Sequence, residues 1–230
     1  MLTQLSNSLY SWTEIHGISR NTPYSWSSFL VVAQDALILI DPLSLSDQEI
    51  ADVERLGTPT HILLTCDYHL RESRSFMQRW GCELLALAAE EQTKSCEISV
   101  DDTFRDGDFL WRKIEVIRVQ NVRYPEEVSF LVPEEDGTLI IGDLVCGGRA
   151  DRGISDGSIW INAPELAVDL QKARISLGKL LDYNFNRMVL GHGSPVTDRA
   201  KGVLKDFLKS DVVWDKLESE RVERGRQLTD

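Results

Sequence analysis

Three short apolar runs in this chain each end in a polar or glycine-containing tip, and this repeated layout limits the possible folds. The runs and their tips are 61–64 with Thr65, 138–141 with Gly142-Asp143, and 188–190 with Gly191-His192. Short runs rich in Ile, Leu and Val that stop at Gly or a polar residue are typical of buried strands. The sequence therefore predicts an α/β fold in which the carboxyl ends of three strands carry the functional residues.

The charge balance of the chain argues against a nucleic-acid partner. The 230 residues include 25 Lys and Arg against 37 Asp and Glu, a formal net charge of −12. A protein this acidic repels a polyanion unless a local basic stripe offsets its field. The densest basic stretch, 221–226, is interleaved with glutamates. We therefore expect no nucleic-acid partner.

The cysteines and the first residues favour a cytoplasmic protein without a membrane partner. Cys66, Cys82, Cys96 and Cys146 show no short paired spacing, so reduced thiols are the simplest expectation. Residues 1–12 lack the basic start and the apolar core of a signal peptide, and the longest apolar runs are only as long as strands.

Several further motifs stand in a fixed order around the three strand tips. They are a hairpin from strands 28–32 and 36–40 leading to Asp41-Pro42, Asp106-Gly107-Asp108 before strand 114–119, the stretch that begins Tyr124-Pro125, and the turn Glu135-Asp136-Gly137. In this order the chain resembles the metallo-β-lactamase superfamily over about residues 5 to 210. The resemblance implies an α/β fold, a four-layer αββα sandwich of mixed sheets. We expect this domain to span 1–210, with a charged helical extension at 211–230.

The resemblance also identifies the positions where this family holds two metal ions, and most of them carry other residues. The family's strand tip reads Thr-His-x-His-x-Asp-His. Aligned on Thr65, the ligand positions hold Cys66, Tyr68, Leu70 and Arg71, and the next ligand histidine falls on Arg123. Asp143 and His192 match the pattern. With 4 His in the chain, the sequence predicts a degenerate motif that has lost the binuclear metal site, and Leu70 removes the carboxylate that would orient an attacking water.

Two of the replacements are arginines, which cannot coordinate a cation but can pair with a carboxylate through two hydrogen bonds. Arg71 or Arg123 is thus expected to neutralise Asp143. Two interpretations remain open here, an anion-binding pocket and a buried ion pair that fills an inactive site. A solvated side chain is the third possibility for one of the two arginines.

A site for one metal ion is the alternative to a cleft without cofactors. Cys66, Asp143 and His192 would supply a thiolate, a carboxylate and an imidazole, which with water suit a four-coordinate zinc ion. His69 would join only if the loop shifted by one residue, because strand alternation points it away from Cys66. Cys66 can equally be a small buried apolar residue with no ligand role.

Three functions follow from these alternatives. The first is a protein that binds a small anionic ligand or a protein partner in the cleft without efficient hydrolysis. The second is a metal-dependent hydrolase of a small ester, thioester or lactone with one ion, and the third is a structural or interaction protein. The expected ligand pocket comprises Cys66, Tyr68, His69, Arg71, Arg123, Asp143 and His192. The glycine-rich loop 146–160 is either a lid or a solvated connection, and the tail 211–230 a solvated helix or a homodimer contact.

Overall fold

The computed structural model describes most of the chain, and a few predicted features fall outside it. The described residues are 1–17, 23–88, 99–120, 127–167 and 169–227. Arg123, Tyr124-Pro125 and Cys96 lie outside these ranges, so the predictions made for them stay predictions.

The first sheet brings the ends of two parallel strands, and the residues that follow them, to one edge. Its strands are β1 (Thr3–Gln4), β2 (Leu9–His16), β3 (Tyr24–Val32), β4 (Leu37–Ile40), β5 (His61–Leu63), β6 (Glu83–Leu87) and β7 (Asp102–Phe104). They lie side by side in chain order. Strands β1 to β4 pair antiparallel, and β4 to β7 pair parallel. Because β4 and β5 are parallel neighbours, Asp41 and Thr65 emerge at one edge.

The second sheet brings the ends of two parallel strands, and with them Asp143 and His192, to one edge. Its strands are β8 (Phe109–Leu110), β9 (Ile114–Val119), β10 (Glu127–Val132), β11 (Thr138–Ile141) and β14 (Arg187–Leu190), and a short ribbon is formed by β12 (Val145–Cys146) and β13 (Trp160–Ile161). The order across the sheet is β14-β11-β10-β9-β8. Strands β11 and β14 pair parallel, so Asp143 and His192 leave the sheet together.

The helices cover the outer faces of the two sheets. They are α1 (Asp47–Leu56), α2 (Ser73–Trp80), α3 (Leu170–Gly178), α4 (Ala200–Lys209) and α5 (Asp211–Gln227), with 3-10 turns at Asp67–Leu70, Ala150–Arg152, Pro164–Leu166 and Lys179–Asp182. Helix α1 begins with a capping box, in which the side chains of Ser46 and Glu49 accept hydrogen bonds from each other's backbone N–H groups. None of the described helices is both long enough and apolar enough to cross a membrane.

Three apolar clusters give the molecule its four layers. One cluster, with Phe29 and Phe130, fills the space between the two sheets. A second packs α1 and α2 on the outer face of the first sheet through Val53 and Phe76. The third packs α3, α4 and α5 on the second sheet. The predicted αββα sandwich with mixed sheets is therefore confirmed.

Glycine allows two backbone segments to approach closely at the edge where the strand tips meet. Gly147 donates its N–H to the carbonyl of His192 at 3.0 Å, and a Cβ added there would overlap the carbonyl oxygen of Ser194. Gly202 in α4 differs, because nothing lies within 4 Å of an added Cβ.

This contrast predicts opposite effects for the same substitution. Gly147→Ala should lower the free energy of unfolding by about 1–3 kcal/mol, because the backbone must move to accept the methyl group. Gly202→Ala should raise it by about 0.5–1 kcal/mol, because alanine restricts the unfolded chain and favours the helix. Urea unfolding of both variants measures this, and equal stabilities would contradict the close approach.

Candidate functional site

The tips of β5, β11 and β14 meet in one buried cluster. The Nε2 atom of His192 lies 2.6 Å from Oδ1 of Asp143. Cys66 Sγ, a ring nitrogen of His69 and a carboxylate oxygen of Asp143 all lie within 4.8 Å of one another. All four side chains are buried. The structure thus brings together Cys66, Asp143 and His192, which the sequence assigned to one cleft.

A carboxylate that the sequence did not assign to the site organises its inner side. Asp41 is fully buried and directly follows β4. Its oxygens accept hydrogen bonds from the Thr65 backbone N–H at 2.8 Å and from the Thr65 hydroxyl at 2.6 Å. The third donor is Nδ1 of His69, at 2.8 Å. The Asp41-Pro42 turn was the available signal for this role, since it precedes the strand tips in the family pattern.

The prediction that the His69 side chain points away from Cys66 is wrong. Strand alternation predicts that this side chain points away from Cys66, but its Nε2 lies 3.5 Å from Oδ1 of Asp143. The reason is that β5 ends at Leu63, and the chain then turns into the 3-10 segment Asp67–Leu70. A helical turn replaces the two-residue period of a strand, so His69 faces inward.

The charges of this cluster are set by burial and by one another. Burial lowers the pKa of His69, but Cys66, Asp41 and Asp143 raise it, and the result lies well above 6.5. Burial raises the pKa of Asp41, yet His69 and other partners bring it below 3.8. The pKa of Asp143 is likewise strongly lowered against burial, by hydrogen bonds from His192 and His69. Burial raises the pKa of the Cys66 thiol and lowers that of His192.

Arg71 does not form the predicted ion pair with Asp143. Its Nη1 donates to the carbonyl oxygens of Ser27 at 2.8 Å and Asp41 at 2.9 Å, and to Oγ of Ser28 at 3.3 Å. The backbone of Arg71 has φ of 40°, an uncommon conformation for a non-glycine residue. Because the chain turns there, the guanidinium reaches back to β3 and the end of β4.

Two of the predicted pocket residues, Tyr68 and Arg123, are not part of the buried cluster that the structure describes. Tyr68 has its side chain 54% exposed, since it occupies the outer side of the 3-10 turn that carries His69 inward. Arg123 lies outside the described residues. The pocket as described is therefore built by Cys66, His69, Arg71, Asp143 and His192.

The loop after Asp143 contacts the site through residues that the sequence did not single out. Asn162 donates its side-chain amide to Oδ1 of Asp143 at 3.1 Å. Arg149 is buried, donates to Asn162 Oδ1 at 3.4 Å and to both oxygens of Asp151, and lies 3.9 Å from the Tyr24 ring centroid. Arg149, near the start of loop 146–160, thus packs on Tyr24. Asn162, just after the end of the loop, donates to Asp143. Nothing in the residue pattern distinguishes Asn162 from a surface asparagine.

The donor set matches one transition-metal ion better than two. Bonds of about 2.0–2.3 Å to a tetrahedral ion place neighbouring ligand atoms roughly 3.5 Å apart, so small shifts would bring Cys66, His69 and Asp143 onto one ion. Thiolate, imidazole and carboxylate together suit zinc. Within the described ranges, this group of three gathers at one point, while the neighbouring residues Leu70 and Arg71 offer no ligand atoms.

The fold and the sequence together define the class of this protein. A profile of the metallo-beta-lactamase superfamily matches residues 2–210, nearly the whole chain, so the chain belongs to that superfamily. No protein of curated function matches the sequence.

Solved structures with little sequence identity share the architecture. The crystal structure of VMB-1 has a TM-score of 0.71 at 15% identity, over 95% of this chain and 97% of that one. A metallo-beta-lactamase from Pontibacter korlensis has a TM-score of 0.64 at 16% identity, over 90% and 99%. A variant of the flavo-di-iron protein from Thermotoga maritima has a TM-score of 0.69 at 13% identity, and this chain covers 61% of it. These likenesses concern the fold alone.

The raised pKa of His69 predicts how stability depends on pH in protein treated with a chelator. A folded pKa above the unfolded one stabilises the protein fully below about pH 6.5, and this contribution is lost as pH rises toward the folded pKa. The free energy of unfolding should fall by up to about 1.4 kcal/mol per pH unit in that window. Urea unfolding of wild type and His69→Gln between pH 6 and 9 isolates this slope, and parallel profiles would contradict it.

Proposed function

We propose that the protein holds one transition-metal ion, zinc being the best match, and hydrolyses small esters, thioesters or lactones slowly. The observation that carries this proposal is the buried group of Cys66, His69 and Asp143, whose ligand atoms lie within 4.8 Å of one another. His192, 2.6 Å from Asp143, is the fourth ligand candidate. When bound, such an ion supplies Lewis acidity toward a carbonyl group and makes a water molecule more acidic.

The surrounding residues support this role because they orient the ligands. Asp41 accepts the Nδ1 proton of His69, which turns Nε2 toward Asp143, the side on which a metal would bind. A carboxylate behind a histidine is a common arrangement around protein-bound metals. Asn162 orients the carboxylate of Asp143 in a similar way, because its side-chain amide donates a hydrogen bond to Oδ1. Both supporting residues are buried, so the ligands are held in place before any ion arrives.

Slow turnover follows from Leu70. In the family pattern this position carries a carboxylate, and leucine cannot accept a proton or orient a water molecule. Loss of a positioned acid or base usually costs about 10²–10⁴-fold in rate. The chain therefore keeps ligands for an ion but lacks one of the groups that would use it efficiently.

The second candidate is binding of a small anionic ligand or a protein partner without hydrolysis. It is favoured by Leu70, and by Arg71, which places a permanent positive charge where the family pattern has a metal ligand. In this reading the raised pKa of His69 provides the positive charge between Asp41 and Asp143, and the binuclear site is lost with no ion replacing it.

Metal content separates the two candidates. Protein purified without a metal-binding tag should carry about one zinc per chain, measured by elemental analysis. Cys66→Ala, His69→Ala and Asp143→Ala should each weaken affinity by about 100-fold or more, since even supporting residues contribute 10–100-fold. Cys82→Ala, which removes another buried free thiol, is the matched control and should bind normally. Absence of stoichiometric metal after zinc reconstitution would favour the second candidate.

Activity is expected to be weak and to depend on the same residues. Across lactam, ester, thioester, lactone and phosphodiester substrates, turnover with zinc or manganese should stay below the ordinary enzyme range of about 1–10³ s⁻¹. His69→Ala and Asp143→Ala should abolish it, because both remove a ligand. Turnover that survives both substitutions would place the activity elsewhere, and fast turnover would show that Leu70 is not limiting.

A further inference from the structure

Three hydrogen-bond donors beside the cluster have no acceptor among the described residues. They are Nε and Nη2 of Arg71 and Nε1 of Trp26, and all three are closed off from solvent. The guanidinium carbon lies 5.5 Å from the Trp26 ring centroid, and the Trp26 ring meets the His192 ring edge-on at 5.3 Å. Buried donors without partners are costly. Their grouping next to the ligand cluster indicates a missing acceptor rather than three unrelated defects.

The geometry of Arg71 gives the chemistry of that acceptor. Nη1 is used by three oxygens, those of Ser27, Ser28 and Asp41, so the plane of the guanidinium is fixed. The unused atoms, Nε and Nη2, form one edge of the guanidinium, and such an edge presents two parallel N–H groups. Two parallel donors match the two oxygens of a carboxylate. The Trp26 N–H is a third donor of the same kind.

The acidic groups that face Arg71 do not fill this edge. Asp41, Asp143, Cys66 and Glu14 all act on its pKa. The carboxylate of Asp41 is bound by Thr65 and His69, that of Asp143 by both histidines and Asn162, and that of Glu14 lies against His16 and Ser44. None makes an ion pair with Arg71 within 4.0 Å among the described residues.

We propose that Arg71, through its Nε–Nη2 edge, and Trp26 bind the carboxylate of a small-molecule ligand, so that the substrate class is a carboxylate-bearing ester, thioester or lactone. This inference rests on the proposed function for the reaction, but not for the binding. Trp26 is half-buried and stacks on His16 with 3.8 Å between ring centroids.

The test is calorimetric titration with acetate, benzoate and 3-phenylpropionate, using benzamide as the neutral isostere and inorganic phosphate as the competing oxyanion. We expect at least one carboxylate to bind, and benzamide to bind at least about tenfold more weakly than benzoate. Binding of none of the carboxylates, equal binding of benzoate and benzamide, or a preference for phosphate would each overturn the assignment.

Variants locate the interaction. Arg71→Lys should weaken carboxylate binding by about tenfold or more, because lysine lacks the paired donors. Arg74→Lys, on the exposed side of α2, is the matched control and should change nothing. Trp26→Phe keeps an aromatic ring but removes the five-membered ring with its N–H, and it should weaken binding a few-fold. This variant covers the case in which Arg71→Lys fails to fold. Unchanged affinity in Trp26→Phe together with a folded, unaffected Arg71→Lys would refute the proposal.

Running every titration on chelator-treated and zinc-loaded protein separates the two proposals. Carboxylate binding that depends on Arg71 in metal-free protein supports this inference even where no metal site exists. One zinc per chain without preference for carboxylates would leave the metal proposal standing and defeat this one.

Discussion

The buried carboxylate of Asp41 is the contact on which the geometry of the site depends. Its oxygens bind the backbone and hydroxyl of Thr65 and the Nδ1–H of His69, so it joins the end of β4 to the tip that follows β5. A buried carboxylate without such partners would cost several kcal/mol. Its own backbone carbonyl also accepts from Arg71. One residue therefore fixes both the imidazole that faces the ligand cluster and the guanidinium beside it.

The fold was predictable because each strand tip carries its own local signal. Apolar runs stopped by Gly142 or Gly191 predict strands that end there, and the parallel pairs β4–β5 and β11–β14 then bring those ends to common edges. The burial of Asp143 beside His192 follows from that topology. Long-range pairing was accessible to sequence reasoning because the order of the motifs matches a known arrangement.

The parts of the site that sequence reasoning missed depend on backbone turns and on long-range contacts. His69 faces inward because a single 3-10 turn at Asp67–Leu70 interrupts the strand, and nothing in those four residues separates a turn from a continued strand. Arg71 turns away from Asp143 because its backbone has positive φ. Asn162 reaches Asp143 only after the intervening loop has folded back. Each depends on conformation that the residue pattern does not determine.

On the proposed function, Arg71 also explains how a cleft that held one ion would remain compatible with its carboxylates. A second metal ion can dissociate and take its positive charge with it. The guanidinium of Arg71 keeps its charge at any physiological pH and is held in place by three oxygens. Its distance from Asp143 matters, since a direct ion pair would have consumed the carboxylate that a single ion needs. By bonding to backbone carbonyls instead, Arg71 contributes charge to the cleft without competing for ligands. On the proposed function, a bound ion would supply Lewis acidity toward the scissile carbonyl and Arg71 would orient the substrate, so recognition and chemistry would depend on separate groups.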